Sequence, residues 1–110
     1  MYERSRHLVD CHIAGFTYYD GLDVAEELKM GTPVTLKEEP DNPYDHRAIA
    51  IYYGDTKLGY IPKDRNRELS KLLHFGYGDI VYARISCHNP DANIENQFRV
   101  LVKIKDNRKG

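Results

Sequence analysis

Two stretches near the carboxyl end of the chain have the longest alternation of apolar and polar residues. Residues 97–105 place a phenylalanine, two valines and an isoleucine at every second position, and residues 79–88 alternate in the same way. Side chains of a β-strand point to opposite faces in turn, so this period predicts two strands that each bury one face. We expect the two strands to pair in one sheet, with Phe98 and Val100 on the same face.

Four shorter segments earlier in the chain also have strand-like patterns. In the first of them, Val9, Cys11 and Ile13 fall on one face. Between the last two, Gly54-Asp55 is a hairpin-turn signal. The four predicted strands cover residues 8–14, 32–38, 48–53 and 57–61.

Two other segments have the spacing of short helices. The first covers residues 22–29, with Leu22 and Leu28 on its apolar side and Gly31 just beyond its end. The second covers residues 64–74, carries three leucines on one face, and follows Pro62, a residue favoured at helix starts.

The predicted order is strand, helix, three strands, helix, two strands. Six short strands separated by turn signals favour a small, mainly antiparallel β-barrel over a parallel sheet. A chain of 110 residues holds one hydrophobic core, so we predict a single domain over residues 1–110. Its core covers about residues 8–105, and residues 106–110 form a polar tail.

Composition narrows the classes of function. The net charge of −1 gives no general basic surface, so any nucleic-acid binding is expected in a local pocket. No segment approaches the roughly 20 apolar residues that span a membrane, and the amino terminus lacks an apolar signal segment. With only two cysteines, this pattern predicts a soluble protein of the reducing cytoplasm.

The segment Glu39-Pro-Asp-Asn-Pro-Tyr-Asp45 predicts a stiff surface loop, because each proline fixes φ and asparagine and aspartate favour turns. The loop presents Tyr44 beside Asp45, and a second aromatic pair, Tyr18-Tyr19, also lies next to a turn signal. Two rings and a carboxylate would form a pocket for a flat ligand with a hydrogen-bond donor, such as a nucleobase with its sugar hydroxyl. The structural alternative is a turn whose asparagine caps backbone amides and whose tyrosine packs on a neighbour.

Two Cys-His dipeptides, Cys11-His12 and Cys87-His88, raise the possibility of a zinc site. The alternation places both cysteines on apolar faces and turns their histidine neighbours away, which disfavours four converging ligands. No histidine or serine lies in a known catalytic spacing from the loop aspartates. We therefore predict no metal, no cofactor and no enzymatic activity, with a metal-dependent hydrolase component as the least favoured alternative.

Three motifs in this order resemble the HIRAN domain family. They are Gly15-Phe-Thr-Tyr-Tyr-Asp-Gly21, the loop ending at Asp45 followed by Ala48-Ile-Ala-Ile51, and Leu58-Gly-Tyr-Ile-Pro62 before a charged helix. The resemblance covers about residues 9–104. It implies an OB-like β-barrel with six strands and two short helices and, as in the fork-remodelling helicases of the family, a pocket that captures the free 3′ end of single-stranded DNA.

The resemblance also implies roles for individual residues. Tyr18 and Tyr44 resemble the rings that sandwich the terminal base, and Asp45 resembles the carboxylate that accepts a hydrogen bond from the 3′-hydroxyl. Asn42 and Lys63 resemble polar neighbours of the bound strand.

Tyr19 and Tyr60 complete the predicted DNA-binding set. Two positions depart from the eukaryotic pattern: Thr17 replaces an arginine, and Tyr60 replaces a histidine. Both changes remove possible phosphate contacts and so bear on affinity for DNA.

The sequence therefore predicts a nucleic-acid-binding module that recognises the 3′-hydroxyl end of single-stranded DNA in repair or replication-fork processing. Related domains are often fused to helicase or nuclease modules, so a separate helicase or nuclease is the expected protein partner. The alternative is a protein-interaction or regulatory module without affinity for DNA.

Overall fold

The computed structural model describes residues 5–93 and 97–105 and is built on six strands. Every strand pair is antiparallel, and the sheet order is β1-β6-β5-β2-β3-β4. The strands are β1 Ser5–His12, β2 Pro33–Glu38, β3 Ile49–Tyr53, β4 Thr56–Tyr60, β5 Val81–His88 and β6 Phe98–Lys105. The predicted tail at residues 106–110 lies outside the described residues.

The sheet curls into a half-barrel, and its two edges meet just after β1. Ala14 N–H donates to the Tyr60 carbonyl at 2.8 Å, and Tyr60 N–H donates to the Ala14 carbonyl at 2.9 Å. Gly59 makes this approach possible, because its φ is +149° and an added Cβ would lie 2.4 Å from the Ala14 carbonyl oxygen. The predicted OB-like antiparallel barrel is confirmed.

The two longest alternating segments pair as predicted, with Ala83 opposite Val102 and Ile85 opposite Val100. Phe98 and Val100 both point into the core, where the Phe98 ring packs on Phe16 with 5.0 Å between centroids. The largest fully buried side chains come from all parts of the fold: Phe16, Phe98, Ile13, Leu28, Ile49, Ile51, Leu58, Ile61, Leu69, Ile85, Val100 and Val102.

The first predicted helix forms, but as a 3₁₀-helix over Asp20–Glu27 rather than over residues 22–29. Residues i and i+3 eclipse each other in such a helix. The row that faces the core begins at Gly21, whose Cα packs against the Phe16 ring, and continues at Val24. Leu22 therefore stays 52% exposed, although Leu28 is fully buried as expected.

The second predicted helix is divided in two at a buried asparagine. A 3₁₀ turn covers Lys63–Arg65, and helix α1 covers Arg67–His74 and buries Leu69. Two further 3₁₀ turns cover Phe16–Tyr18 and Gly78–Ile80. No helix within residues 5–93 and 97–105 is long and apolar enough to cross a membrane.

Candidate nucleic-acid interface

A pocket of about 300 Å³ opens where the loop of residues 39–48 meets the closure of the barrel. We call it the tyrosine pocket. Six of the seven residues predicted to bind DNA line it, and Tyr18 is the exception. The lining consists of Ala14, Tyr19, Asn42, Tyr44, Asp45, Ala48, Tyr60, Ile61 and Lys63.

Asn42 organises the loop that carries the exposed ring. Its Oδ1 accepts hydrogen bonds from the backbone N–H groups of Tyr44, at 2.8 Å, and of Asp45, at 3.1 Å. The asparagine thus caps backbone amides, as the structural alternative for this turn expected. The other half of that alternative is not met, because the Tyr44 side chain packs on little and is 88% exposed.

Asp45 is held at the pocket by two neutral donors. Its Oδ1 accepts from Arg47 N–H at 2.9 Å, and its Oδ2 accepts from Asn66 Nδ2 at 2.8 Å. Burial alone would raise the pKa of this carboxyl, but those two hydrogen bonds and the Lys63 and His46 charges together hold the pKa below its usual value. Asp45 is therefore a fixed and negatively charged acceptor at neutral pH.

Asn66 is a functional candidate that the sequence reasoning missed. It immediately precedes α1, where an asparagine is expected to cap the helix, yet its side chain makes no capping hydrogen bond. The side chain is instead 2% exposed and donates to Asp45. Nothing local in the sequence signals this contact, because the two residues are 21 positions apart.

The structure separates the tyrosine pair, because Tyr19 lines the pocket and Tyr18 does not. The Tyr19 and Tyr60 rings contact each other edge-to-face, with 5.6 Å between centroids and 70° between planes. Tyr18 lies in the preceding 3₁₀ turn and is 82% exposed. A Cβ added at Gly15 would lie 3.5 Å from the Tyr19 ring and 3.8 Å from the Tyr18 ring, so the two rings flank this glycine.

A hydrogen-bonded cluster behind Tyr60 fixes the back of the pocket. Tyr60 Oη donates to Glu39 Oε1 at 2.6 Å and accepts from Lys57 Nζ at 2.6 Å. Lys57 Nζ also forms an ion pair with Glu39 Oε2 at 2.9 Å and lies over both aromatic rings, 4.9 Å from the centroid of Tyr19 and 4.5 Å from that of Tyr60. The sequence indicated Lys57 only as one of several cations that could contact phosphates, and the structure instead pairs it with Glu39.

The cluster shifts the pKa of each of its members. Burial and the hydrogen bond to Glu39 raise the pKa of Tyr60 to about 12. Burial alone would lower the pKa of Lys57, but its hydrogen bonds to Tyr60 and Glu39 outweigh that effect and raise the pKa. Burial likewise opposes the charged form of Glu39, while the donors Tyr60, Lys57 and Asn42 lower its pKa. All three groups therefore keep their neutral-pH charge states over a wide pH range.

The two Cys-His dipeptides do not converge. Cys11 is buried, which raises the pKa of its thiol to about 11, and the His88 ring stacks on Phe98 with 4.5 Å between centroids. Both thiols are free. Within the described part of the chain, no three histidine, cysteine, aspartate or glutamate side chains come together as a metal site would require.

Two solved structures are similar to this chain. A protein from Lactobacillus plantarum superimposes with a TM-score of 0.76 at 24% sequence identity, covering 92% of this chain and 94% of that one. The HIRAN domain of human HLTF superimposes with a TM-score of 0.62 at 19% identity, covering 93% of this chain and 81% of that one. At these identities the likeness shows the fold.

Sequence comparison gives the family. Fanconi-associated nuclease 1 homologs are 32% identical over 72 residues in Arabidopsis thaliana and 31% identical over 74 residues in Oryza sativa subsp. japonica. Each match covers 64% of this chain but only 8% and 7% of the plant proteins, so the chain spans less than a tenth of their length. The family model for the HIRAN domain matches residues 7–105, and the chain therefore belongs to the HIRAN domain family.

Proposed function

We propose that this HIRAN domain binds the free 3′-hydroxyl end of single-stranded DNA in the tyrosine pocket and has no catalytic activity of its own. The observation that carries the proposal is the pairing of an exposed ring, Tyr44, with a carboxylate, Asp45, that is fixed in the charged state. A ring and a charged acceptor side by side suit a ligand with one flat face and one donor.

Electrostatics favours a chain end over a continuous strand. An ionised carboxylate offers no donor and repels phosphates, so it is a poor neighbour for the middle of a DNA backbone. Where the strand ends, a hydroxyl can donate to it. Each oxygen of Asp45 accepts one hydrogen bond within the protein, which leaves further lone pairs free for such a donor.

The aromatic lining supplies the second contribution to binding. Tyr44 is available as a stacking face at the mouth of the pocket, and Tyr19 and Tyr60 form the wall. The exposed Tyr18 ring lies next to Gly15, as the Tyr19 ring does. Stacking contributes roughly 1–3 kcal/mol per base. At about 300 Å³ the pocket is at the small end of ligand sites, which suits one nucleotide. Lys63 is exposed and lines the pocket, which suits a contact to a phosphate.

The relatives fit a role in DNA metabolism. The plant proteins that share this domain are named as homologs of a Fanconi-associated nuclease. A chain that provides the binding module would act beside a nuclease or helicase in DNA repair or fork processing.

The test is fluorescence anisotropy with one oligonucleotide carrying either a 3′-hydroxyl or a 3′-phosphate. A hydrogen bond to a charged acceptor contributes roughly 1.5–3 kcal/mol, so we expect the hydroxyl end to bind about 10- to 150-fold more tightly. Asp45→Ala should remove this preference, while Tyr44→Ala should weaken both ligands equally.

Tyr77→Ala is the matched control, because Tyr77 is an exposed tyrosine outside the pocket. It should leave both affinities unchanged. Equal affinity of the unmodified protein for the two ends would overturn the proposal, and no binding to either would favour the protein-interaction alternative.

A further inference from the structure

A second pocket shares the loop of residues 39–48 with the tyrosine pocket. It has a volume of about 390 Å³ and lies between the loop and helix α1. Asp45 lines the first pocket, whereas the next two residues, His46 and Arg47, line the second. We call this second pocket the basic groove, and its main side chains are Arg47, Arg67, Lys71, His74 and Phe75.

The groove concentrates positive charge in a chain whose net charge is −1. Its one carboxylate, Glu38, lies 3.9 Å from His74 Nδ1. Arg47, Arg67 and Lys71 form no ion pair with any acid that the structure describes. Arg67 and Lys71 are four residues apart on α1, so their like charges face each other and repel. Lys71 lies in the last turn of α1, where a cation is favourable, and a bound anion would relieve its repulsion with Arg67.

An exposed aromatic ring completes the groove. Phe75 follows α1 directly and is 71% exposed, and its ring and the His74 ring contact each other edge-to-face, with 5.2 Å between centroids. Proteins that bind single-stranded nucleic acid combine a positively charged groove with exposed aromatic side chains. The cations contact the phosphates, and the aromatic ring stacks on a base. A duplex keeps its bases stacked on each other and would leave the ring without a partner.

We propose that the basic groove binds the phosphodiester backbone of the single strand whose 3′ end enters the tyrosine pocket, with Phe75 stacking on an upstream base. This inference rests on the proposed function and extends it from one terminal nucleotide to several. The shared loop couples the two sites, because Arg47 lines the groove and donates its backbone N–H to Asp45.

The experiment measures the salt dependence of binding to a strand of about ten nucleotides, within the roughly 4–16 that one OB fold covers. Each phosphate contact contributes about 0.7 to the slope of log affinity against log salt. The double variant Arg67→Gln with Lys71→Gln should make the slope shallower by about 1.4. A control with the same charge change, Lys29→Gln with Arg84→Gln, alters two exposed cations outside both pockets and should leave the slope unchanged.

The ring is tested on the same strand. Phe75→Ala should weaken binding by roughly fivefold or more without changing the salt slope, since a stacked base carries no charge. Tyr77→Ala, which removes a neighbouring exposed ring outside the groove, should have no effect.

The readouts separate the two proposals. The preference for a 3′-hydroxyl reports on the tyrosine pocket, and the salt slope reports on the basic groove. If the unmodified protein shows no preference for a 3′-hydroxyl, but Arg67→Gln with Lys71→Gln still makes the salt slope shallower, only the proposed function is refuted. An unchanged slope in Arg67→Gln with Lys71→Gln would overturn the inference, as would an equal change of slope on a blunt duplex with blocked 3′ ends, which would assign the groove to double-stranded DNA.

Discussion

Glu39 and Asp45 lie in the same loop and are both held by hydrogen bonds, but their partners differ. Glu39 forms an ion pair with Lys57 and also accepts from Tyr60 and Asn42. Asp45 accepts from two neutral groups, the backbone N–H of Arg47 and the side chain of Asn66. The pKa of each carboxyl is lowered, so both are charged at neutral pH.

The difference separates a carboxylate that supports the fold from one that is available to a ligand. The charge of Glu39 is balanced by an ammonium group, and three donors occupy its oxygens. The charge of Asp45 is not balanced by a direct ion pair within the described residues, and each of its oxygens has accepted one donor. We therefore expect the loss of charge at Glu39 to affect stability and the loss of charge at Asp45 to affect binding.

The largest expected effect comes from removing each charge with an isosteric amide. Glu39→Gln leaves the partly buried ammonium of Lys57 without a counter-charge and should lower the free energy of unfolding by about 2–3 kcal/mol. Asp45→Asn weakens two hydrogen bonds from neutral donors and should lower the free energy of unfolding by only about 1 kcal/mol, yet it should remove most of the preference for a 3′-hydroxyl. Guanidinium denaturation and anisotropy measure the two effects. Equal destabilisation by the two variants would contradict the distinction.

Acid should act through the same two groups. A carboxyl whose pKa is lower in the folded state binds fewer protons there than in the unfolded chain, so its stabilising contribution is present above the unfolded pKa and is lost as pH falls through the folded pKa. The free energy of unfolding should therefore decline below about pH 4.5, which is the ordinary pKa of a glutamate such as Glu39. The decline should be shallower in Glu39→Gln than in the unmodified protein.

An intermediate effect is expected from Asn66→Ala. It removes a donor to the charged carboxylate and should cost about 1.5 kcal/mol of stability. The pKa of Asp45 should rise, so the preference for a 3′-hydroxyl should disappear at a higher pH than in the unmodified protein. Anisotropy across an acidic pH series measures this shift. Asn66→Asp adds a like charge beside Asp45 and should move the pH at which the preference is half lost still higher. If this pH is unchanged in both variants, Asn66 does not control the charge of Asp45.

The smallest effect is expected from Tyr60→Phe, because Glu39 and Lys57 keep each other as partners when the hydroxyl is removed. The loss should be about 1 kcal/mol. The pKa of Tyr60 is raised from 10.0 to about 12, so the folded state retains its proton longer and the stabilisation is lost as pH rises through that range. Denaturation between pH 9 and pH 12, roughly spanning the ordinary tyrosine pKa, should show a shallower alkaline decline in the variant.

The secondary structure was largely predictable because the buried face of each strand repeats every second residue. Residues 97–105 and 79–88 became β6 and β5 in one antiparallel pair, and the hairpin at Gly54-Asp55 joins β3 to β4. The helices were less predictable. Leu22 points to solvent because, in a 3₁₀-helix with Gly21 packed on Phe16, a different face of the helix is turned to the core. No local pattern contains that contact.

Sequence by itself determined the loop and its two chemical groups, since prolines and asparagine dictate a turn and the order of residues places Tyr44 beside Asp45. Only the tertiary structure decided which groups surround them. Ala14 and Tyr60, which pair where the barrel closes, line the pocket together with Tyr19, whereas Tyr18 does not line it. Asn66 reaches Asp45, and Arg47 comes to face Arg67 and Lys71, because packing joins segments that lie some twenty residues apart. Hydrogen bonds and electrostatic interactions depend on distances between groups in space, and the linear sequence does not record those distances.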